Sequence, residues 1–316
     1  MGLELCGVYD LSRESLKLAR AEESVPESAL FEDLERLYAE ARPECAIIAT
    51  TADSHCALAC MAAERGAKFV LLEKPMAVSL EECDRVIETC ARLGVGLAVN
   101  HQMRFMEQYT VPKGLVATDA FGGLRSMTVV GGNFGFAMVG THYFEAFRVV
   151  TGESPVEVTA WFSPEVVANP RGAQFLDHAG SIRAVTASGR RLYMEAGADQ
   201  GHGIRVVYGC RNGMLTVDGL NGEITSSVRE DRYRELPTTR YGMPAVTSQW
   251  KIRPAEVIDS TAAVLKALFD GTDNVSGEDG RRAVEVLVAV HESAERGSTP
   301  VRVGAGLDRR RVYPWA

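Results

Sequence analysis

The sequence has no apolar run of membrane-spanning length and no charged-then-apolar opening typical of a secretion signal. It has little positive charge: 34 Lys and Arg stand against 42 Asp and Glu, for a net charge of -8. That balance argues against a general nucleic-acid surface, and no membrane partner is expected either. The one tight basic cluster, Arg309 to Arg311, reads as a solvated tail. The seven cysteines are scattered singly, at 6, 45, 56, 60, 83, 90 and 210. Cys56 and Cys60 are four apart on one helical stretch, but no second ligand pair matches them. They read as small buried residues in a reducing, cytoplasmic compartment, with no metal site. Repeats and low-complexity tracts are absent as well.

What is present is enough apolar residue to build sizeable cores, 46% hydrophobic over 316 residues, in two domains or one large one. The opening apolar strand, Leu3 to Val8, stops at Asp10, and a helix follows over about 12–22. A second helix is expected over 30–41, with Phe31, Leu34, Leu37 and Tyr38 on one face. Ala46 to Ala49 reads as an inner parallel strand, followed by a helix over about 54–65 and the strand KFVLLE at 68–73. Ser79 with Glu82 three residues on forms a capping box, Gly94 closes that helix, and GVGLAVNH supplies another strand. This alternation predicts an open parallel α/β sheet over residues 1–103.

After about residue 104 the period changes. Strands are expected at LRSMTVVGG, VEVTAWFS, SIRAVTAS, RLYMEAG, IRVVYGC and GMLTVDG, several alternating as an antiparallel sheet with one open face does. The helix THYFEAFRVVTG interrupts them, and two late helices follow, the last expected to pack back between the domains. Residues 104–316 thus read as an α+β domain.

Three neighbouring strand ends carry polar groups, and in open α/β sheets ligands bind at such ends. Thr50, Thr51, Asp53 and His55 follow one strand; Glu73, Lys74 and Pro75 follow the next; Asn100, His101 and Arg104 follow the third. A lysine there can present an ammonium to a substrate oxygen, or transfer a proton if burial lowers its pKa. His142 and Glu145, three apart on a helix, share a face, and His142 could act as acid or base. Asp10, at the end of its strand, stands where a dinucleotide-binding domain contacts the adenosine ribose.

Taken together, EKP at 73–75, the run TTADSHCALACMAAERGAKFVLLEKPMAVSLEECDRVIETCARLGVGLAVNHQMRF, the entry FGGLRSMTVV, the helix GTHYFEAFRVVTGE and the closing SGEDGRRAVEVLVAVHESAERGSTPVRV resemble one family. It is the glucose-fructose oxidoreductase / inositol dehydrogenase / rhizopine-catabolism family of NAD(P)-dependent oxidoreductases. The resemblance implies hydride transfer between a nicotinamide cofactor and a hydroxyl or carbonyl of a sugar-, polyol- or inositol-like substrate. It implies catalytic roles for Lys74 and His142, substrate contacts for Arg104, Glu145 and His101, and a cofactor groove lined by Asp10, Thr51, His55, Glu73 and Asn100. Asp10 favours NAD, while Arg13 leaves room for NADP. Many relatives associate through the open sheet face, so a homo-dimer or tetramer is expected, with Trp161 and Tyr193 among its contacts. The alternative is a monomer whose face is covered by residues 104–142 and the tail with Tyr313 and Trp315.

The sequence departs from the family pattern in three places. No first strand with a G-x-G-x-x-G turn precedes the Asp10 strand, so an incomplete Rossmann-type sheet is expected. That leaves three readings: the turn lies upstream of the residues given, it has been lost, or the chain is a ligand-binding or oligomerising scaffold derived from a dehydrogenase. Met138 stands where members often carry an aspartate one turn before the histidine, and a thioether holds no charge. Only NFGFAMV separates RSMTVVGG from GTH, which predicts a smaller or more open pocket.

Overall fold

The computed structural model describes residues 2–132, 134–237, 244–271 and 276–316. The chain opens with β1 (Val8–Tyr9), α1 (Arg13–Glu22), β2 (Leu30–Phe31) and α2 (Leu34–Ala41). Then come β3 (Cys45–Ile48), α3 (Ala52–Glu64), β4 (Phe69–Leu72), α4 (Leu80–Leu93) and β5 (Gly96–Val99). β3, β4 and β5 form a parallel sheet in that order. Their continuous apolar runs reflect burial: Val70, Leu71, Leu72, Ala98 and Val99 have almost no solvent exposure.

β1 and β2 form a separate two-stranded parallel sheet, and among the described residues β1 has no backbone pairing with β3. This is the interruption expected of the Rossmann-type sheet. It leaves β3 as an edge strand, with Ile47 58% exposed.

Two early boundaries differ from expectation. The strand expected over Leu3 to Val8 is confined to Val8–Tyr9, and Leu3 and Leu5 are exposed. The helix expected over 30–41 begins only at Leu34, because the Asp33 carboxylate accepts from the Arg36 amide at 3.1 Å and caps it there. Phe31 is therefore a strand residue, free to pair in β2. The α4 cap follows the sequence: Ser79 accepts from the Glu82 amide at 3.2 Å, and Gly94 ends the helix at φ 69. The Glu82 carboxylate reaches the Val78 amide, one residue before the usual capping-box partner.

The second part contains α5 (Glu107–Val116), β6 (Leu124–Gly132), α6 (Thr141–Thr151), β7 (Pro155–Val167), β8 (Asp177–Thr186), β9 (Arg191–Gly197), β10 (Arg205–Cys210), β11 (Gly213–Asp218), β12 (Glu223–Arg229) and β13 (Ala245–Lys251). It ends with α7 (Val257–Asp270), α8 (Gly277–Glu295) and β14 (Val301–Arg302). The nine-stranded sheet runs β13-β12-β11-β10-β6-β9-β8-β7-β14 and is antiparallel except at β6–β9. One face is core: Met127, Val129, Ala160, Ile182, Leu192, Met194, Val206 and Leu215 are buried. Residues of opposite parity face outward, and Trp161 is 52% exposed.

α5, β12 and β13 were not expected. α5 carries Pro112 inside it, and its buried face, Gln108, Tyr109, Pro112 and Val116, runs through that proline and a polar residue, so the sequence does not read as a helix. β13 lies at the sheet edge and β12 next to it, and Thr225, Ser226, Ser227, Thr247 and Ser248 leave no alternating apolar signal. As expected, α8 packs back between the two parts, touching α4 and β5 on one side and α6, β7 and β14 on the other.

The closing segment differs from a solvated tail. Arg309 pairs with Asp84, Arg310 lies 3.4 Å from Glu81, and the Arg311 guanidinium donates to Glu295 at 2.6 Å. Tyr313 and Trp315 stack with centroids 4.6 Å apart and are each 1% exposed. They pack on the ring of His291 in α8, not over the open sheet face. The Trp315 indole donates to the Ala77 carbonyl at 3.0 Å. Replacing Trp315 with alanine therefore removes a buried ring and orphans a carbonyl. A loss of about 3 kcal/mol in urea unfolding is expected, and a change inside measurement error would refute this packing.

All seven cysteines are unpaired. Cys56, Cys83 and Cys90 are buried as expected, whereas Cys6 is exposed.

Candidate active site

The carboxyl end of β4 turns sharply into Lys74, and the Lys74–Pro75 peptide is cis. The lysine side chain is largely buried and donates from Nζ to the Met138 carbonyl at 2.6 Å. Burial lowers its pKa, and Arg171 pushes in the same direction, while Glu73 and Asp177 oppose them. Glu73 itself accepts from Asn100 Nδ2 at 2.6 Å, which ties the ends of β4 and β5 together. Asn100 Oδ1 is buried without a partner among the described residues.

His55 lies beneath this loop. Its Nδ1 is 2.9 Å from the Pro75 carbonyl and its Nε2 is 3.1 Å from the Thr50 carbonyl. A neutral imidazole donates to only one of two carbonyls, and burial depresses the His55 pKa. The ring thus braces the lysine loop from within the chain. Thr51 caps α3 by position, and its hydroxyl donates to Asp53 at 2.6 Å. Asp10 accepts from the Ser12 amide at 2.7 Å, an arrangement that fixes the turn into α1 at the end of β1.

His101 and His142 meet edge to face, with ring centroids 5.6 Å apart, and Nδ1 of each is buried without a partner among the described residues. Burial and the nearby Lys74 push His101 down to about 3 and His142 well below its ordinary value. Both rings are neutral near pH 7. A neutral ring with an unpartnered nitrogen is able to take or give a hydrogen bond to an incoming oxygen.

Glu145 is committed elsewhere. It accepts two bonds from Arg148, each 2.7 Å, and Arg148 also reaches Asp279 in α8 at 3.1 Å. Arg104 lies 3.9 Å from Glu145 and over the Phe105 ring. Burial raises the Glu145 pKa and its pairing with Arg148 opposes that. The pair His142 and Glu145, predicted to share a helix face, therefore serves two purposes. His142 faces Lys74 and His101, whereas Glu145 anchors α6 to α8.

The sequence reading missed Asp177, at the start of β8. Its carboxylate accepts from the amides of Ala137 and Met138, each at 2.8 Å. Among the described residues no group of three or more His, Cys, Asp or Glu is arranged to hold a metal. A wide surface depression of about 850 Å³, lined by Arg125, Arg211, Asn212 and Arg229, lies on the large sheet and contains none of the candidate site residues.

Residues 1–101 match the family model described as oxidoreductase family, NAD-binding Rossmann fold. Over nearly the whole chain the structure resembles solved oxidoreductases. One, from Agrobacterium radiobacter in complex with NAD+, L-tartaric acid and magnesium, shares 19% identity with a TM-score of 0.77, covering 96% of this chain and 92% of that one. Another, aldose-aldose oxidoreductase from Caulobacter crescentus complexed with glycerol, gives 20% and 0.74, covering 95% and 91%. Residues 1–101 are thus those of the glucose-fructose oxidoreductase / inositol dehydrogenase / rhizopine-catabolism family, and the rest of the chain shares the fold of such oxidoreductases. Among curated relatives, 2,7-anhydro-N-acetylneuraminate hydratase of Mediterraneibacter gnavus is 34% identical over 90 residues, 28% of this chain and 24% of that protein. A dehydrogenase of Comamonas testosteroni is 33% identical over 123 residues, 39% of this chain and 30% of that protein. These matches span less than a third of the relatives' own lengths. D-apiose dehydrogenase of Rhizobium rhizogenes is 24% identical across 97% of this chain and 92% of its own. No helix of the described residues is long and apolar enough to cross a membrane.

Proposed function

We propose that this protein is an NAD(P)-dependent oxidoreductase acting on a hydroxyl or carbonyl of a sugar- or polyol-like substrate. The observation that carries this reading is the meeting of Lys74 with two neutral histidines whose Nδ1 atoms, with Asn100 Oδ1, are buried and unpartnered among the described residues. Orphaned polar atoms in such a cluster suit a ligand that pairs with them. They fit the nicotinamide and substrate end of a dinucleotide, and Asp10 at the end of β1 fits the ribose. No glycine turn for the pyrophosphate occurs among the described residues before β1.

On this reading residues 1–103 hold the cofactor and residues 104–316 shape the substrate side. Asp10, Thr51, Glu73 and Asn100 line the groove, and His55 supports it from below. The nicotinamide, when bound, supplies hydride chemistry. Lys74 polarises the reacting oxygen with an ammonium whose pKa burial has lowered towards a range useful for proton transfer. His142 accepts or returns the hydroxyl proton at its free nitrogen, and His101 packs edge-on against that ring. Arg104 contacts substrate from the β5 end. Asp10 favours a free ribose hydroxyl and hence NAD.

A second reading, a ligand-binding scaffold, draws on the break between β1 and β3 and on the missing carboxylate at Met138. A panel of aldoses and polyols, offered with NAD+ and NADP+ and followed by nicotinamide absorbance, separates the two. Turnover of any member supports the enzyme; cofactor binding without turnover across the panel favours the scaffold.

We also propose a homo-oligomer formed through the outward face of the large sheet, where Trp161 stands exposed. Light scattering is expected to give a multiple of the 34.3 kDa chain mass. A monomer mass that persists on tenfold concentration contradicts it.

A further inference from the structure

Lys74 is the centre of the proposed site, and the family acid expected one turn before His142 is replaced by Met138. The structure shows where a carboxylate does reach this region. The turn at Phe136–Gly140 crosses in front of β8, and Asp177 closes on it from the strand start. Oδ1 accepts from the Ala137 amide and Oδ2 from the Met138 amide, both at 2.8 Å. The carbonyl of Met138, on the following peptide unit, accepts from Lys74 Nζ at 2.6 Å. One residue thus bridges the carboxylate and the ammonium.

We propose that Asp177 is the positioning residue of Lys74 and, after Glu73, its second counter-charge, standing in for the carboxylate absent at position 138. Its part in turnover rests on the oxidoreductase reading; its coupling to Lys74 does not.

The close approach is built into the sequence at Gly135. A Cβ added there would lie 2.0 Å from Asp177 Cγ, so any other residue displaces the carboxylate or the turn. Two amide donors, one to each oxygen, define the carboxylate plane and favour its ionised form. Burial works against ionisation and raises its pKa to about 6, with the two amides and Lys74 pulling it back down. At neutral pH Asp177 is therefore ionised and favours the charged form of Lys74 against the cost of burial. The Met138 carbonyl takes one ammonium proton and leaves the others for a substrate oxygen.

Other charged or titratable groups surround the pair. Glu73 adds negative charge from the end of β4, and Arg171 adds positive charge from the β7–β8 loop. His101 and His142 face Lys74 as neutral rings. His178, the next residue in β8, stacks on Phe162 with centroids 4.2 Å apart and meets His291 at 5.5 Å. The closing segment holds the geometry from behind. The Leu176 amide donates to the Pro314 carbonyl at 2.7 Å, while the Tyr313 amide donates to the Val78 carbonyl at 2.9 Å. One strand-like stretch thereby ties the Asp177 and Lys74 loops to each other.

The test needs no substrate. The sequence has six lysines, so trace acetylation across a pH series, read peptide by peptide, gives each amine its own titration. Asp177→Asn keeps the side-chain shape but removes the charge and places an amide against one N–H donor. It is expected to lower the Lys74 midpoint by about one pH unit, with the other five lysines unmoved. The reciprocal variant, Lys74→Met, is expected to raise the Asp177 midpoint above about 6, read from its carboxyl carbon by NMR. An unchanged Lys74 midpoint in folded Asp177→Asn overturns the proposal. If that variant does not fold, Lys74→Met decides: an upward shift of Asp177 supports the pairing and no shift overturns it. Because neither arm measures turnover, the outcome stands apart from the fate of the oxidoreductase reading.

Discussion

Replacing Lys74 with alanine is expected to lower kcat/KM about a thousandfold, within the range of two to four decades that a positioned acid or base contributes. That corresponds to about 4 kcal/mol of transition-state stabilisation. The change removes an ammonium whose position the Met138 carbonyl fixes. It leaves intact the Glu73–Asn100 bond that ties the strand ends, so cofactor affinity is expected to move little. Lys74→Arg is expected to recover only part of the loss, because a guanidinium keeps the charge but not the compact donor or its titration. Steady-state kinetics with any turned-over sugar or polyol give the answer. Turnover of Lys74→Ala within a few-fold of the parent refutes the role assigned to this residue.

Acid is expected to unfold the protein steeply. His101 and His291 are buried neutral with folded-state values of about 3, and His142 is depressed as well. Their unfolded values lie near 6.5, so below that pH the unfolded chain binds more protons than the folded one. Stability is then complete above about 6.5 and falls as the pH drops. Each such histidine contributes about 1.4 kcal/mol per pH unit, and the three together about 4 kcal/mol. Asp177 acts the other way. Its folded value of about 6 exceeds the unfolded 3.8, so its contribution is lost as pH rises through that window; burial raises Glu145 likewise, and the two offset part of the acid effect, to which the depressed His55 adds. Urea midpoints at pH 7, 6 and 5 are expected to decline at each step below 6.5. A flat series down to pH 5 contradicts the buried, neutral state of these rings. His291→Phe lies in the aromatic cluster around Tyr313 and Trp315, away from the lysine, and is expected to make the decline shallower.

Local signals with one physical cause were legible in the sequence. Ser79 with Glu82, Gly94 and the apolar runs of β4 and β5 each follow from short-range chemistry, and the structure has them in place. Lys74, Asn100 and His101 could be placed together because parallel strands with short links put their carboxyl ends on one edge. The start of α2 was misplaced although Asp33 offered a cap, because the apolar spacing of Phe31, Leu34 and Leu37 mimics a longer helix. β13 was missed because an edge strand needs no apolar alternation, and β12 beside it because Ser226 takes a buried position where the pattern calls for an apolar residue.

The site was harder to read where it depends on distant residues. Nothing near Asp177 in sequence points to Lys74; the link runs through the Met138 backbone, which carries no side-chain signal. Glu145 shows the opposite limit. Helical spacing put it beside His142, yet the two arginines around it and Asp279 in α8 decide where its charge is used. The closing arginines read as solvated because their carboxylate partners, Asp84, Glu81 and Glu295, lie on helices far away in the chain.

The proposed activity requires this chain to seat a nicotinamide dinucleotide beside Lys74. Titration with NADH and NADPH, followed by nicotinamide fluorescence, measures that directly, with Lys74→Ala as a control for a folded site. Saturable micromolar binding, tighter for NADH and retained in Lys74→Ala, is the predicted result. Millimolar binding or none, in protein shown to be folded, contradicts it.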